Sequence, residues 1–318
     1  AMVKALVEAG ADVEAEDGRG WQPLHHASRN GNTAMVKALL EAGAEVAAEA
    51  GDGWRPLHFA SRSGDAAMVK ALLKAGADVA AETDDGGRPL HMAVLNGDTA
   101  TVKVVLEAGA DAEIKDSEGR RPLHFATARG NTAMVEALLD EGADVEVEDN
   151  EGRRPLHVAA ASGSLSTVRA LLTADANVQA QDDDGKRPIH AAAQSANAQL
   201  VRALLDAGAD PHAQFGNGMR PIHAAAQSGG ALRALIEAGA DIRAKSARGW
   251  RPLHTAAGFG DALTVRVLLA AGANIEMTTA TGSLRPIHVA SRWGEAAQVK
   301  ALVDAGADVK AETDKGSR

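Results

Sequence analysis

The chain has 318 residues, 45% hydrophobic, 24% charged and only 3% aromatic, with no Cys, no Tyr and a formal net charge of −10 at pH 7. That balance fits a folded chain built on small aliphatic residues, and the missing Cys excludes disulfides, thiolate metal sites and a Cys nucleophile. No apolar run approaches the roughly 20 residues that cross a bilayer, and no basic segment leads into an apolar one as in a secretory signal, so a cytoplasmic or nuclear location is expected.

In chain order, residues 1–16 read as a second helix and turn, with Met2, Val3, Leu6 and Val7 apolar and Gly10 as the stop. From Asp17 a fixed clock begins. Pro23, Pro56, Pro89, Pro122, Pro155, Pro188 and Pro221 are 33 residues apart, and Pro252 and Pro286 follow at intervals of 31 and 34. After each Pro come Leu or Ile and then His: His25, His58, His91, His124, His157, His190, His223, His254 and His288. One unit shows the pattern. Asp116-Ser117-Glu118-Gly119 is a tight turn with Gly where positive φ is cheap. Pro122 then opens a short helix, where its missing N–H costs nothing, and Gly130 ends it. A second helix follows, with Met134, Leu138 and Leu139 as its apolar stripe and Gly142 just past its end. Ala143–Glu148 leads extended into the next turn. A turn with two antiparallel helices cannot bury its apolar faces alone; stacked neighbours can.

The 33-residue period, the P-L-H-x-A segment and the G-A-D-V turn resemble the ankyrin repeat over essentially the whole chain. Nine complete units span 17–312, with partial ones at 1–16 and 313–318. The resemblance implies an all-α repeat solenoid, stacked helix-turn-helix repeats joined by extended hairpin-like turns, as one continuous array over 1–318. Neither end shows a polar cap, so the chain reads as a fragment of a longer array that could associate end to end. The family usually has Thr before Pro, and its hydroxyl helps hold the His. Here the position is Gln22, then Arg55, Arg88, Arg121, Arg154, Arg187, Arg220, Arg251 and Arg285. The usual Asn after D-V is absent. Asp175 and Ala196 replace two expected Gly residues, Pro211 replaces Val, the helix after Gly229-Gly230 is two residues short, and the turn Thr279–Leu284 is one longer. The stack is expected to be least regular between 175 and 284.

The His column is not a metal site. Helices stack roughly 8–10 Å apart, whereas zinc needs its ligands within about 2 Å of one ion. Each His is read as a bridge between backbone groups; His26 and His212 have no assigned role. No nucleophile elbow, zinc-protease helix, phosphate loop or dinucleotide fingerprint is present. No cofactor, metal or catalytic residue is therefore expected, and the chain is not read as an enzyme. The Arg column beside acidic turns reads as a ladder of ion pairs, with an offer of guanidinium groups to an acidic partner as the alternative. Residues 1–184 hold 17 Lys+Arg and 32 Asp+Glu, and residues 185–318 hold 16 and 11, nets of −15 and +5.

Phe59 and Phe125, at a position held elsewhere by Val158 and Val289, read as core. In the ankyrin family the turns and first-helix ends line the concave face that grips partners. Carried over by position, this implies two partner-binding patches: Trp21 and Trp54 with Arg19, Arg29 and Arg62, and Trp250, Phe259 and Trp293 with Arg248 and Arg292. Trp flanked by Arg is hot-spot composition; flat packing on a neighbouring turn is the competing reading. The expected function is protein or peptide recognition on the concave face. Alternatives are a regulatory or targeting arm of an enzyme whose catalytic domain lies elsewhere, a spacer without a partner, and nucleic-acid binding by the basic C-terminal third. Net charge argues against the last, and no membrane partner is expected.

Overall fold

The computed structural model describes residues 2–314; residues 315–318 of the expected final turn, and the Met2 side chain of the expected apolar end, lie outside the described residues. The described residues form nineteen helices and no strand, with one isolated bridge between Phe215 and Met219. The chain divides into two compact units, Ala1–Asn150 and Glu151–Arg318. The first holds α1 (Met2–Glu8), α2 (Pro23–Arg29), α3 (Thr33–Glu41), α4 (Pro56–Ser63), α5 (Ala66–Lys74), α6 (Pro89–Asn96), α7 (Thr99–Glu107), α8 (Pro122–Ala128) and α9 (Thr132–Asp140). The second holds α10 (Pro155–Ser162), α11 (Leu165–Thr173), α12 (Pro188–Gln194), α13 (Ala198–Asp206), α14 (Pro221–Ser228), α15 (Leu232–Glu237), α16 (Pro252–Phe259), α17 (Ala262–Ala270), α18 (Pro286–Trp293) and α19 (Ala296–Asp304).

Every first helix begins on its repeat Pro. The residue before that Pro is extended, as at Arg55 (ψ 162°) and Arg187 (ψ 161°), because a following Pro ring disfavours the helical region. Most second helices open on a polar cap: Asn32 accepts from the Met35 N–H at 3.0 Å, and Asp65 accepts from Ala67 and Met68. First helices pack on first helices and second on second: α2 on α4, α4 on α6 and α3 on α5 in the first unit, α10 on α12, α16 on α18 and α11 on α13 in the second. The close seam between first helices depends on the small residue two after each His; Ala60, Ala93, Ala159 and Ala192 are fully buried. Leu24, Leu90, Ile189 and Ile222 are equally buried, each worth about 1.5–3 kcal/mol. The expected stripe of α9 is present with one change: Met134, Val135 and Leu138 are buried and Leu139 is half-buried.

His25, His58, His157, His190, His223, His254 and His288 bridge backbone groups as expected, whereas the buried Nε2 of His91 has no hydrogen-bond partner among the described residues. In all nine, Nδ1 accepts from the backbone N–H of the residue before Pro, at 3.0 Å for His25 and His58 and 3.2 Å for His223 and His254. In the bridging residues Nε2 reaches a carbonyl nearer the next turn, 3.0 Å from Ala48 for His25, 3.0 Å from Ala81 for His58 and 3.1 Å from Ala213 for His190. The Nδ1 bond comes from the backbone, so Arg before Pro retains it. In the turn that lacks the usual Asn, the Asp of G-A-D accepts from the N–H two residues on, as Asp78 does from Ala80 at 2.9 Å.

The hairpin-like turns close on themselves, from the Ala50 N–H to the Trp54 carbonyl at 2.9 Å and from Asp182 to Lys186 at 2.9 Å. They also bond to the neighbouring turn: Asp84 N–H to Asp52 at 3.3 Å and Asn150 to Glu118 at 3.1 Å in the first unit, Asp183 to Glu151 at 3.1 Å in the second.

The second unit carries the expected irregularities. Asp175 and Ala196 adopt the left-handed conformation of the Gly residues they replace, at φ 61° and 60°. Ser283 takes up the extra residue of the long turn at φ 45°. α15 has six residues where its counterparts have nine, and its first residue follows Ala231, which offers no capping side chain. α17 reaches past it to pack on α14. Gly230 is required there, since a Cβ would lie 1.9 Å from the Ala196 carbonyl oxygen.

Candidate functional site

Two grooves line the face where hairpin turns meet the ends of first helices. Each forms because the residue after the turn Gly projects beside the first helix of its own and the next repeat. In the first unit Gly53 holds φ 75°, and a Cβ on it would sit 2.8 Å from the Asp84 backbone nitrogen. Only Gly lets that turn lie against its neighbour and bring Trp54 alongside α4.

The first groove, of about 570 Å³, is built on three rings. Trp21 and Trp54 flank Phe59, each with ring centroids 4.7 Å from it. Phe59 is 8% exposed, and both Trp residues are half-buried. The Arg29 guanidinium lies 5.1 Å from the Trp21 ring centroid and Arg62 5.6 Å from that of Trp54, contacts worth about 0.5–1 kcal/mol at exposed sites. Arg19 and Asp52 complete the rim. All five residues expected for this patch are brought together.

The second groove, of about 490 Å³, lies in the second unit. Trp250 stacks on Phe259 at 6.0 Å with 18° between ring planes, and meets Trp293 at 5.9 Å and 47°. Phe259 is 50% and Trp293 42% exposed. The Arg292 guanidinium lies 4.7 Å from the Trp293 centroid, and Arg248 lines the same groove. Four of the five expected residues line the groove and Arg292 covers the Trp293 ring beside it, together with neutral polar groups the sequence did not mark, among them Asn217, Gln227 and Thr255.

The Arg residues fall into two kinds. Several of those before Pro are ion-paired: Arg55 to Glu49 at 3.0 Å, Arg88 to Glu82 at 3.0 Å, Arg121 to Glu113 at 3.1 Å, and Arg285 to Glu276 at 2.6 Å and Asp308 at 3.3 Å; Arg251 instead donates to the Arg243 carbonyl. Arg19, Arg29, Arg62, Arg248 and Arg292 have no carboxylate in ion-pair contact among the described residues. Free guanidinium groups thus stand on both aromatic grooves, and exposed Arg129, Arg169, Arg233, Arg243 and Arg266 likewise have no ion pair among the described residues.

Phe125 is not core: it is half-buried under the Arg120 guanidinium, 4.7 Å from its centroid. Phe59 is buried as expected, yet it is also the middle ring of the first groove. Lys186 over Phe215, at 5.3 Å, is a further instance of a cation on a ring. The signal for these was the column after the turn Gly, which runs Trp21, Trp54, Gly87, Arg120, Arg153, Lys186, Met219 and Trp250. His26 gains a partner in Asp17, 3.1 Å away, and packs 5.2 Å from the Trp21 ring. A third, apolar groove of about 330 Å³ lies between α1 and the α2–α3 pair; Leu6 on its wall is 53% exposed. Among the described residues no three His, Asp or Glu side chains gather as a metal site, and no helix is long and apolar enough to cross a membrane.

Stacked helix pairs with open grooves define a helical repeat protein. The chain matches the family model described as ankyrin repeats (3 copies) over residues 1–83, 90–182, 165–246, 189–279 and 222–313, and it belongs to the ankyrin repeat family. It is similar to the crystal structure of the human ASB11 ankyrin repeat domain, with 31% identity and a TM-score of 0.65 over 69% of this chain and 98% of that one. No curated protein matches it. Ankyrin repeats are in general protein–protein interaction modules.

Proposed function

We propose that the chain recognises another protein or peptide through the two aromatic grooves, with the second as its principal anchor. The observation that carries this is the exposure of Phe259 and Trp293, 50% and 42%, beside a stacked Trp250. Large rings left half in water, each worth well over a kcal/mol when covered, mark a surface made to be covered. The residues are those enriched in binding hot spots. A groove already fixed by stacked rings and turn-to-turn hydrogen bonds has little ordering left to lose on binding.

The test uses peptides selected on the immobilised chain from a random display library. A Trp250→Ala/Trp293→Ala variant should bind them more weakly by more than about 2 kcal/mol while keeping its helical circular dichroism. Unchanged affinity in that variant removes the reading.

A further inference from the structure

We infer that the second groove takes an acidic peptide segment: an apolar side chain seated against Trp250, Phe259 and Trp293, with Asp or Glu carboxylates on either side meeting Arg248 and Arg292. This rests on the reading of that groove as a recognition face.

Aromatic grooves commonly serve one of three ligand classes, and the charges here separate them. An aromatic cage for an ammonium group needs open ring faces and no competing cation. Here the Trp293 ring already carries the Arg292 guanidinium at 4.7 Å, and Arg248 stands on the same rim. A second cation would be repelled by both. Single-stranded nucleic acid needs stacking rings along a basic track that follows several phosphates. Two guanidinium groups do not make such a track, and the chain carries a net charge of −10. An acidic peptide meets neither objection. No carboxylate lines the groove; its remaining polar groups are amides and hydroxyls such as Asn217, Gln227 and Thr255, which can donate to a carboxylate or a peptide carbonyl.

The surroundings have the same sign. Residues 185–318 hold 16 Lys+Arg against 11 Asp+Glu, so an acidic segment is drawn to this part of the chain. The first groove differs, since Asp52 stands on its rim and residues 1–150 hold 14 Lys+Arg against 27 Asp+Glu. The guanidinium groups of Arg248 and Arg292 have no carboxylate of their own to release among the described residues, so pairing with a ligand breaks no existing ion pair.

The selected peptides supply the test. They should be enriched in Asp and Glu around an aromatic or Leu residue. Synthetic copies with Asn and Gln in place of Asp and Glu should bind the unaltered chain on the order of tenfold more weakly. In an Arg248→Gln/Arg292→Gln variant the acidic and amide copies should bind alike. Enrichment in Lys and Arg, absence of any charge bias, equal binding of both copies to the unaltered chain, or tighter binding of oligothymidylate than of any peptide overturns the inference. If the amide copies bind as well as the acidic ones and Trp250→Ala/Trp293→Ala still removes both, the groove stands and only its charge preference falls. Peptides indifferent to the Trp changes overturn groove and charge preference together.

Discussion

At the scale of the residue, the His of each repeat accepts a backbone N–H at Nδ1, and that constrains its protonation. Nδ1 accepts an N–H, so only the tautomer with its proton on Nε2 fits. Burial is the main cause holding His25, His58, His91, His157, His190, His223 and His254 below the ordinary histidine value, His254 down to about 4. The Arg before Pro adds a repulsive charge at His58, His190, His223 and His254. An unfolded histidine titrates near 6.5. Between about pH 6.5 and about 4 the unfolded chain therefore binds more protons than the folded one, so stability is level above that window and falls with pH through it. His254 alone should cost on the order of 3 kcal/mol by the bottom of the window. Asp85 and Asp261, each bonded by a Thr hydroxyl and lowered from 3.8, withdraw their contribution only below it. Urea unfolding at a series of pH values from about 8 to about 4 should show the decline, and a flat profile across the window would mean the rings are charged in the folded chain.

At the scale of the element, helix starts and stops follow from single residues. Pro sets each first helix, Asn, Asp or Ser caps most second helices, and Gly in the left-handed region ends many of them. Ala196 is informative because it meets the same backbone demand without the right residue, at φ 60° where its counterparts Gly64, Gly97 and Gly163 lie at 76°, 92° and 77°. A Cβ in that conformation is strained by about 1–2 kcal/mol, partly offset by the lower entropy of Ala in the unfolded chain. Ala196→Gly should therefore raise stability by roughly 0.5–1 kcal/mol. A chemical-denaturation midpoint that stays level or drops would show the strain to be relieved elsewhere.

At the scale of the molecule, a stack with nearest-neighbour contacts is only as stable locally as the seam at each joint. In the second unit the weakest joint is at α15, which has six residues, no capping side chain at its start and a neighbour, α17, that reaches past it to α14. Amide hydrogen exchange should be fastest there among the second helices of that unit, faster over 231–237 than over 198–206 or 262–270. Equal protection would show that the short helix is held as firmly as its full-length counterparts. Charge belongs to this scale as well. Within the regular Arg column, Arg55, Arg88, Arg121 and Arg285 are spent on Glu49, Glu82, Glu113 and Glu276, whereas the guanidinium groups beside the aromatic grooves remain without a carboxylate among the described residues.

The repeat, its helix limits, the His column and the aromatic and Arg residues that gather at the two grooves were legible in the residues alone. Those properties are local: Pro and Gly act on their own dihedral angles, and a 33-residue clock places equivalent residues in equivalent places. Only the tertiary structure decided which Arg residues are neutralised, that Phe125 lies half-open beneath Arg120, and that Phe59 is at once core and the centre of a groove. Pairing and exposure depend on distances of a few ångströms between side chains from different repeats. A residue's type and its place in the period do not specify those distances, because they arise only when one repeat is laid on the next.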